Sequence, residues 1–244
     1  MWYRNPEILN FTSKTNCMCG RFSLTTDEQR LNEFFRLAGG EEPYVPRYNG
    51  APTQSLAVIT GDDSSRLRYF RWGLIPVWAK ELPRSSPVIN ARAESLSEKT
   101  MFRRLIARQR CLVPADGFYE WVRAGKKQPY RFIMADNSPF AMAGLWDAWK
   151  SPQGTVLKSF AIITTEANEL MKPIHDRMPV ILEQEHYEAW MGETDEKLLR
   201  MLLRPLPASR MKAYRVSDRV NKVTAEGPGL IKPQEEPDLF STDF

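Results

Sequence analysis

Four short stretches of this 244-residue chain carry polar side chains that packing alone does not require: MCGRF (18–22), VINARAE (88–94), ADGFYEW (115–121) and IHDRMPV (174–180). Cys19 has the widest chemistry. Inside a chain, a free cysteine is an ordinary small residue, often buried and inert. At the start of a chain it becomes a different reagent. Met18 precedes it, and methionine is readily trimmed before a small residue. The product is a 1,2-aminothiol whose amine, with a pKa of about 7.7–8.0, is partly neutral at physiological pH. Such an amine attacks an aldehyde to give an imine, and the neighbouring thiolate then closes a thiazolidine ring. An internal cysteine has only an amide nitrogen and cannot do this. Glu120 lies among Phe118, Tyr119 and Trp121. It is either an exposed position of an alternating strand or a partly buried carboxyl, which holds its proton more tightly and suits proton shuttling. His175, hemmed by Pro173 and Pro179, is one of 2 histidines. It is either a structural residue or an imidazole that gives and takes protons near neutral pH; His186 falls on a helix as a surface residue. Asn90 either caps a strand or holds a reacting group in attack geometry. Arg21 and Arg92 are either solvated surface or phosphate clamps with charge-assisted bonds.

The elements that must hold these residues follow from periodicity. TTDEQRLNEFFRLAGG reads as a helix, with a Thr26/Gln29 capping box, an apolar face of Leu31, Phe34, Phe35 and Ala38, and a stop at Gly39-Gly40. SLAVIT (55–60) and RLRYFRWGLI (66–75) read as strands, and SEKTMFRRLIARQR (97–110) as a helix. CLVPADGFYEWV, PYRFIMA, FAMAGLWDAW and SFAIITT are four further strands between turn residues. A short helix is expected near 166–172, extended chain at HDRMPVIL, helices at EHYEAWM and DEKLLRMLL, and a last strand at MKAYRVS. The tail from Glu226, rich in Pro and acid, reads as loose. The middle strands lack the helix alternation of a parallel sheet. The expected fold is therefore α+β, one domain with a curved, mostly antiparallel, barrel-like sheet and flanking helices. Residues 1–17 form an N-terminal extension, 18–230 the domain, and 231–244 a loose tail.

The bulk numbers narrow the class. Net charge is +4, which permits a nucleic-acid partner without demanding one. The 3 cysteines are an odd set, two of them nearly adjacent, which argues against a disulfide framework and for a reducing compartment. They lack the spacing and companions of a zinc site. No run reaches the roughly 18 apolar residues of a membrane span. No cofactor, no metal and no membrane partner is expected; a monomer is expected, and the cysteine usage fits the cytoplasm.

The four stretches, with FRWGLIP (70–76) and AIITTEAN (161–168), closely resemble in content and order the SRAP family, named for an SOS-response-associated peptidase-like domain. The resemblance spans about residues 18 to 230. It implies a protein that caps abasic sites in single-stranded DNA, where base loss leaves an aldehyde, by a covalent crosslink through an N-terminal cysteine. On that resemblance Cys19 is the nucleophile, Glu120 the general acid/base and His175 the group that opens the sugar ring and later reverses closure. Asn90 holds the amine or sugar, and Arg21, Arg92 and Arg177 contact phosphate. Thr164 or Thr165 adds a hydroxyl; Trp72 and Trp78 either pack in the core or, where exposed, stack on bases; Arg68, Arg71, Lys126, Lys127 and Arg131 either extend a basic groove or are plain surface. β-Elimination (lyase) activity would share the imine. Two other readings use the same residues: a cysteine (auto)peptidase with Cys19, His175 and Glu120, and a non-catalytic single-strand DNA-binding module. Family members begin Met-Cys-Gly-Arg, so the 17 residues before Met18 are a departure. While they remain, Cys19 has no free amine.

Overall fold

The computed structural model describes residues 20–39, 43–83, 87–122, 127–192 and 194–234. Met18, Cys19 and Lys126 lie outside the described residues. Strands β1 (Phe22–Leu24), β2 (Arg47–Gly50), β3 (Ser55–Thr60), β4 (Asp63–Trp72) and β5 (Asn90–Arg92) precede β6 (Arg110–Ala115), β7 (Gly117–Trp121) and β8 (Pro129–Met134). The long strands β9 (Phe140–Lys150) and β10 (Val156–Glu166) follow, then β11 (Arg177–Pro179), β12 (Ile181–Leu182) and β13 (Met211–Arg215). Helices α1 (Glu28–Phe35), α2 (Thr100–Arg108), α3 (Tyr187–Gly192) and α4 (Glu196–Leu202) interrupt them. Pairing of β10 with both β4 and β9 closes the ring β10-β4-β3-β6-β9 into a five-stranded barrel. A second sheet runs β13-β8-β7-β1-β2. All pairings are antiparallel except those of β10 with β4 and β5. This is the α+β, barrel-like architecture expected from the sequence.

Apolar residues divide between two clusters. One joins the barrel to the second sheet, with Phe22, Phe118 and Phe132 against Trp72, Phe160 and Ile162. The other lies under the helices, with Leu31, Leu105, Trp190 and Leu199 against Ile59, Leu145 and Ile163. Burying one such side chain stabilises by about 1.5–3 kcal/mol. Together the clusters set the two sheets and four helices as one body.

The structure departs from the sequence reading in four places. CLVPADGFYEWV is not one strand. It breaks at Asp116, giving β6 to the barrel and β7 to the second sheet, because the Asp116 carboxylate accepts bonds from Thr25 N–H, Thr26 N–H, Ser23 Oγ and Arg131 Nη2. Thr26 is thereby drawn to Asp116, and Asp27 caps α1 by accepting from Arg30 N–H at 2.9 Å. That helix ends at Arg36 in the left-handed region, before the glycine pair. Residues 167–174 make turns instead of a helix, with Asn168 Oδ1 accepting from Met171 N–H and Asn168 Nδ2 donating to Leu206 O. Residues 226–234 are packed: Leu230 is buried, Glu226 pairs with Arg47, and Gln234 N–H donates to Arg215 O at 3.0 Å.

Gly73 directs the chain from β4 towards the site. Its φ of +130° suits glycine, and a Cβ there would meet Pro87 Cβ at 2.7 Å. The chain turns out into residues 76–83 and returns at Val88, which bridges Leu74, to enter β5.

Candidate active site

Three neighbouring strands gather most of the polar residues. β5 lies parallel to β10, with Asn90 opposite Ile162 and Arg92 opposite Thr164. On the other side β11 runs antiparallel, with Glu166 opposite Arg177 and Thr164 opposite Pro179. β10 thus fixes Asn90, Arg92, Thr164 and Arg177 relative to one another, and His175 lies two residues before β11. Glu120 comes from the opposing sheet. Its strand neighbour on the same face, Phe118, packs in the cluster that holds Ile89 and Ile174, the chain neighbours of Asn90 and His175. The polar groups therefore border one shared hydrophobic core.

Glu120 is 2% exposed and His175 6%. His175 Nδ1 accepts from Arg177 N–H at 3.0 Å and lies 3.1 Å from Asp176 Oδ1. An Nδ1 that accepts from Arg177 N–H leaves the proton of a neutral ring to Nε2, whereas the Asp176 carboxylate favours a proton on Nδ1. β1 approaches from the same side as Glu120. Phe22 pairs with Phe118 and Ser23 with Gly117, and Tyr119 N–H donates to Arg21 O at 3.0 Å. Continued by two residues, that register sets Gly20 opposite Glu120.

The structure distributes the remaining expected residues unevenly. Arg92 is exposed. Thr164 and Thr165 are buried; the Thr164 hydroxyl has no hydrogen-bond partner among the described residues. Arg21 is committed to the protein, donating to Asn49 Oδ1 at 3.0 Å and to Val220 O at 2.6 Å. Arg177 Nη1 and Nη2 meet Glu94 at 2.7 and 2.9 Å, and Nη2 also reaches Thr164 O at 2.7 Å. Direct phosphate contact by either arginine would have to share or displace these bonds.

The stacking expectation for Trp72 is corrected. Its ring is 0% exposed, packs between Phe22 and Phe160, and donates Nε1–H to Ile89 O at 3.0 Å. It braces the residue before Asn90 and has no face for a base. Trp78 is 67% exposed on the 76–83 loop, which is tied to the barrel by Val77 N–H to Asp147 Oδ2 and Trp149 Nε1–H to Ala79 O. Arg131 is likewise no groove residue: it is buried against Asp116 at 2.8 Å. Arg68 is paired with Asp62, while Lys127 is exposed and Arg71 donates to Thr53 O at 2.8 Å.

Two residues that matter locally escaped sequence reasoning. Asn49 holds Arg21 through Oδ1, and its Nδ2 donates to the carbonyls of Lys222 and Ala225; nothing in RYNG signals this. Glu94 stands two residues after Arg92, and an acid beside expected phosphate ligands was the available signal. Among the described residues, Glu183, Glu185 and His186 could approach one cation, but Glu183 already pairs with Arg210 at 2.8 Å. A surface hollow of about 530 Å³ between α3, α4 and residues 204–207 contains none of the site residues named above.

The model of the family described as "SOS response associated peptidase (SRAP)" matches residues 18–223. The chain belongs to the SRAP family. Among SRAP relatives, the abasic site processing protein YoqW of Bacillus subtilis (strain 168) is 45% identical over 222 residues, covering 88% of this chain and 99% of the relative. The abasic site processing protein YedK of Escherichia coli (strain K12) is 33% identical, covering 88% of this chain and all of the relative. A crystal structure of a protein from Bacteroides thetaiotaomicron is 28% identical and superposes with a TM-score of 0.75 over 88% of this chain and all of that one. The match begins at Met18.

Proposed function

We propose that this chain processes abasic sites in single-stranded DNA, capturing the open-chain aldehyde on the α-amine and thiol of Cys19 once that amine is free. The observation that carries this reading is the pairing of β1 with β7, Phe22 opposite Phe118 and Tyr119 N–H on Arg21 O, because it runs the chain back along β7 towards the buried Glu120 and the sequence there continues to Gly20 and Cys19. The names of the relatives, abasic site processing proteins, support it.

The steps balance without an oxidant or reductant. His175 moves the proton that opens the deoxyribose ring to the aldehyde. The Cys19 amine adds to the aldehyde carbon. Glu120 protonates the departing hydroxyl, one water leaves, and an imine remains. The thiolate sulfur adds to the imine carbon and the nitrogen takes up a proton, closing the thiazolidine. The imine also allows β-elimination, and ring closure competes with that route. The Asn90 amide holds the amine or the sugar for attack. Arg92 contacts backbone phosphate, and Trp78, in place of Trp72, stacks on a base.

The test uses the chain beginning at Cys19, which keeps every described residue. Incubated with single-stranded DNA carrying one abasic site, it forms a heat-stable adduct with one protein per strand, and Cys19→Ala does not. Absence of an adduct, or an equally stable one from Cys19→Ala, overturns the reading. Intact mass of the protein made from the whole sequence reports whether residues 1–18 are removed. Their retention on every molecule would leave Cys19 without its amine.

A further inference from the structure

Glu94 has no part in the chemistry above, yet it is tied to the site by a two-bond ion pair with Arg177. Both of its oxygens take the Arg177 guanidinium, at 2.7 and 2.9 Å, in the paired geometry that fixes an arginine in direction as well as distance. Thr164 O takes a further bond from the same guanidinium at 2.7 Å. Arg177 is held at its other end too, since its backbone N–H donates to His175 Nδ1. One residue therefore connects a carboxylate on the 93–95 turn, a carbonyl on β10 and the imidazole.

Resting on the proposed function, we infer that Glu94 is a positioning residue for His175, acting through Arg177 to keep the ring's proton on Nε2. Two carboxylates pull the ring in opposite directions. Glu94 anchors Arg177, and the anchored Arg177 N–H needs a lone pair on Nδ1. The Asp176 carboxylate, 3.1 Å from the same Nδ1, favours a proton there instead. Neutral histidine carries one ring proton, so the two arrangements exclude each other. With Glu94 in place, Nε2–H is a donor and Nδ1 is occupied. Without its charge, Arg177 keeps the Thr164 carbonyl and one neutral amide acceptor in place of two carboxylate oxygens, the bond to Nδ1 loosens, and the ring turns towards Asp176 with Nε2 as an acceptor. A ring with the opposite proton placement cannot deliver a proton from Nε2 until it re-protonates.

The test measures two quantities on the chain beginning at Cys19, for the parent protein and for Glu94→Gln, Glu94→Asp, His175→Ala and Glu94→Gln/His175→Ala. The first is the protonation of the His175 ring nitrogens, by nitrogen NMR of labelled protein. The parent shows an unprotonated Nδ1, Glu94→Gln shows protonated Nδ1 mixed in, and Glu94→Asp restores part of the parent pattern. The second is single-turnover adduct formation against DNA concentration. Glu94→Gln lowers the limiting rate by about 10- to 100-fold, the range expected when a reacting group is misplaced by about an ångström. The half-saturating DNA concentration changes less than the limiting rate, and any change lowers it, because Glu94→Gln frees Arg177 for phosphate. Added to His175→Ala, Glu94→Gln costs nothing further. The inference is overturned if Nδ1 is protonated in the parent, if Glu94→Gln leaves the ring unchanged, if its rate loss persists without His175, or if only half-saturation moves. If the parent forms no adduct, the proposed function falls, and the ring protonation still decides the role of Glu94.

Discussion

Replacing Asp116 by alanine should destabilise this fold far more than an acid at a strand junction ordinarily would. The Asp116 carboxylate is nine-tenths buried, as is the Arg131 guanidinium that meets it at 2.8 Å. It also accepts from Ser23 Oγ and Thr25 Oγ1 at 2.7 Å and from Thr26 N–H at 2.8 Å. Truncation removes every one of these acceptors while Arg131 stays buried, held by Ser23 Oγ and Tyr214 Oη, which carry no charge. Breaking a buried pair by removing one partner costs about 3–5 kcal/mol. For a domain of this length about 2–4 °C of melting temperature is lost per kcal/mol, so Asp116→Ala should melt about 6–20 °C lower. The assay is thermal melting by circular dichroism, with urea unfolding as a second measure. Asp116→Ala/Arg131→Met supplies the sharper readout. Removing the orphaned charge should recover at least about 1 kcal/mol relative to Asp116→Ala, since unpaired charge is the larger part of the cost. A drop under about 3 °C, or no recovery in the double variant, refutes the buried-pair account.

Two further outcomes follow from the site. Trp78→Ala should weaken single-stranded DNA binding by about 1–3 kcal/mol with the melting temperature unchanged, whereas Trp72→Ala should lower the melting temperature by removing a buried ring; fluorescence titration and melting curves separate the two. The Arg177 guanidinium bonded to Glu94 holds its carboxyl below the usual glutamate range. A carboxyl depressed on folding stabilises above its unfolded pKa, about 4.3, and that stability is lost as pH falls through the lower folded value. Parent protein and Glu94→Gln should therefore differ in melting temperature at pH 6 and converge as the pH drops below about 4; a gap that widens on acidification would contradict the pairing.

Much of the architecture was legible because it rests on local pattern. The apolar periodicity of α1 and α2 and the runs that became β3, β8, β9 and β10 are written in contiguous residues. What escaped depends on distant partners. Nothing local says that CLVPADGFYEWV must break at Asp116, since the donors that turn it there come from residues 23–26 and 131. The acidic, proline-rich composition of 226–234 reads as loose, yet Leu230 and the Glu226–Arg47 pair fasten it. At the site, residue type suggested Glu120, His175 and Asn90, and β10 supplies the register that relates Asn90 to Thr164 and Arg177. Composition could not choose between Trp72 and Trp78, because exposure is a property of the turn at Gly73. Nor could it foresee that Arg21 and Arg177 would spend their guanidiniums on Asn49 and Glu94.

The attachment of Arg21 and Asn49 to the carbonyls of residues 220–225 bears on how the protein is made. β1 is among the first strands to leave the ribosome, and the carbonyls that lock its mouth are among the last residues of the fold to emerge. Synthesis proceeds at about 5–20 residues per second, so about 10–40 s separate the two. During that interval Arg21, which leads into β1, has Asn49 Oδ1 to donate to and lacks the Val220 carbonyl. A chain broken off before Val220 would keep the Asn49 bond to Arg21 and lack the carbonyls of residues 220–225, so this brace is complete only once residue 225 has been made.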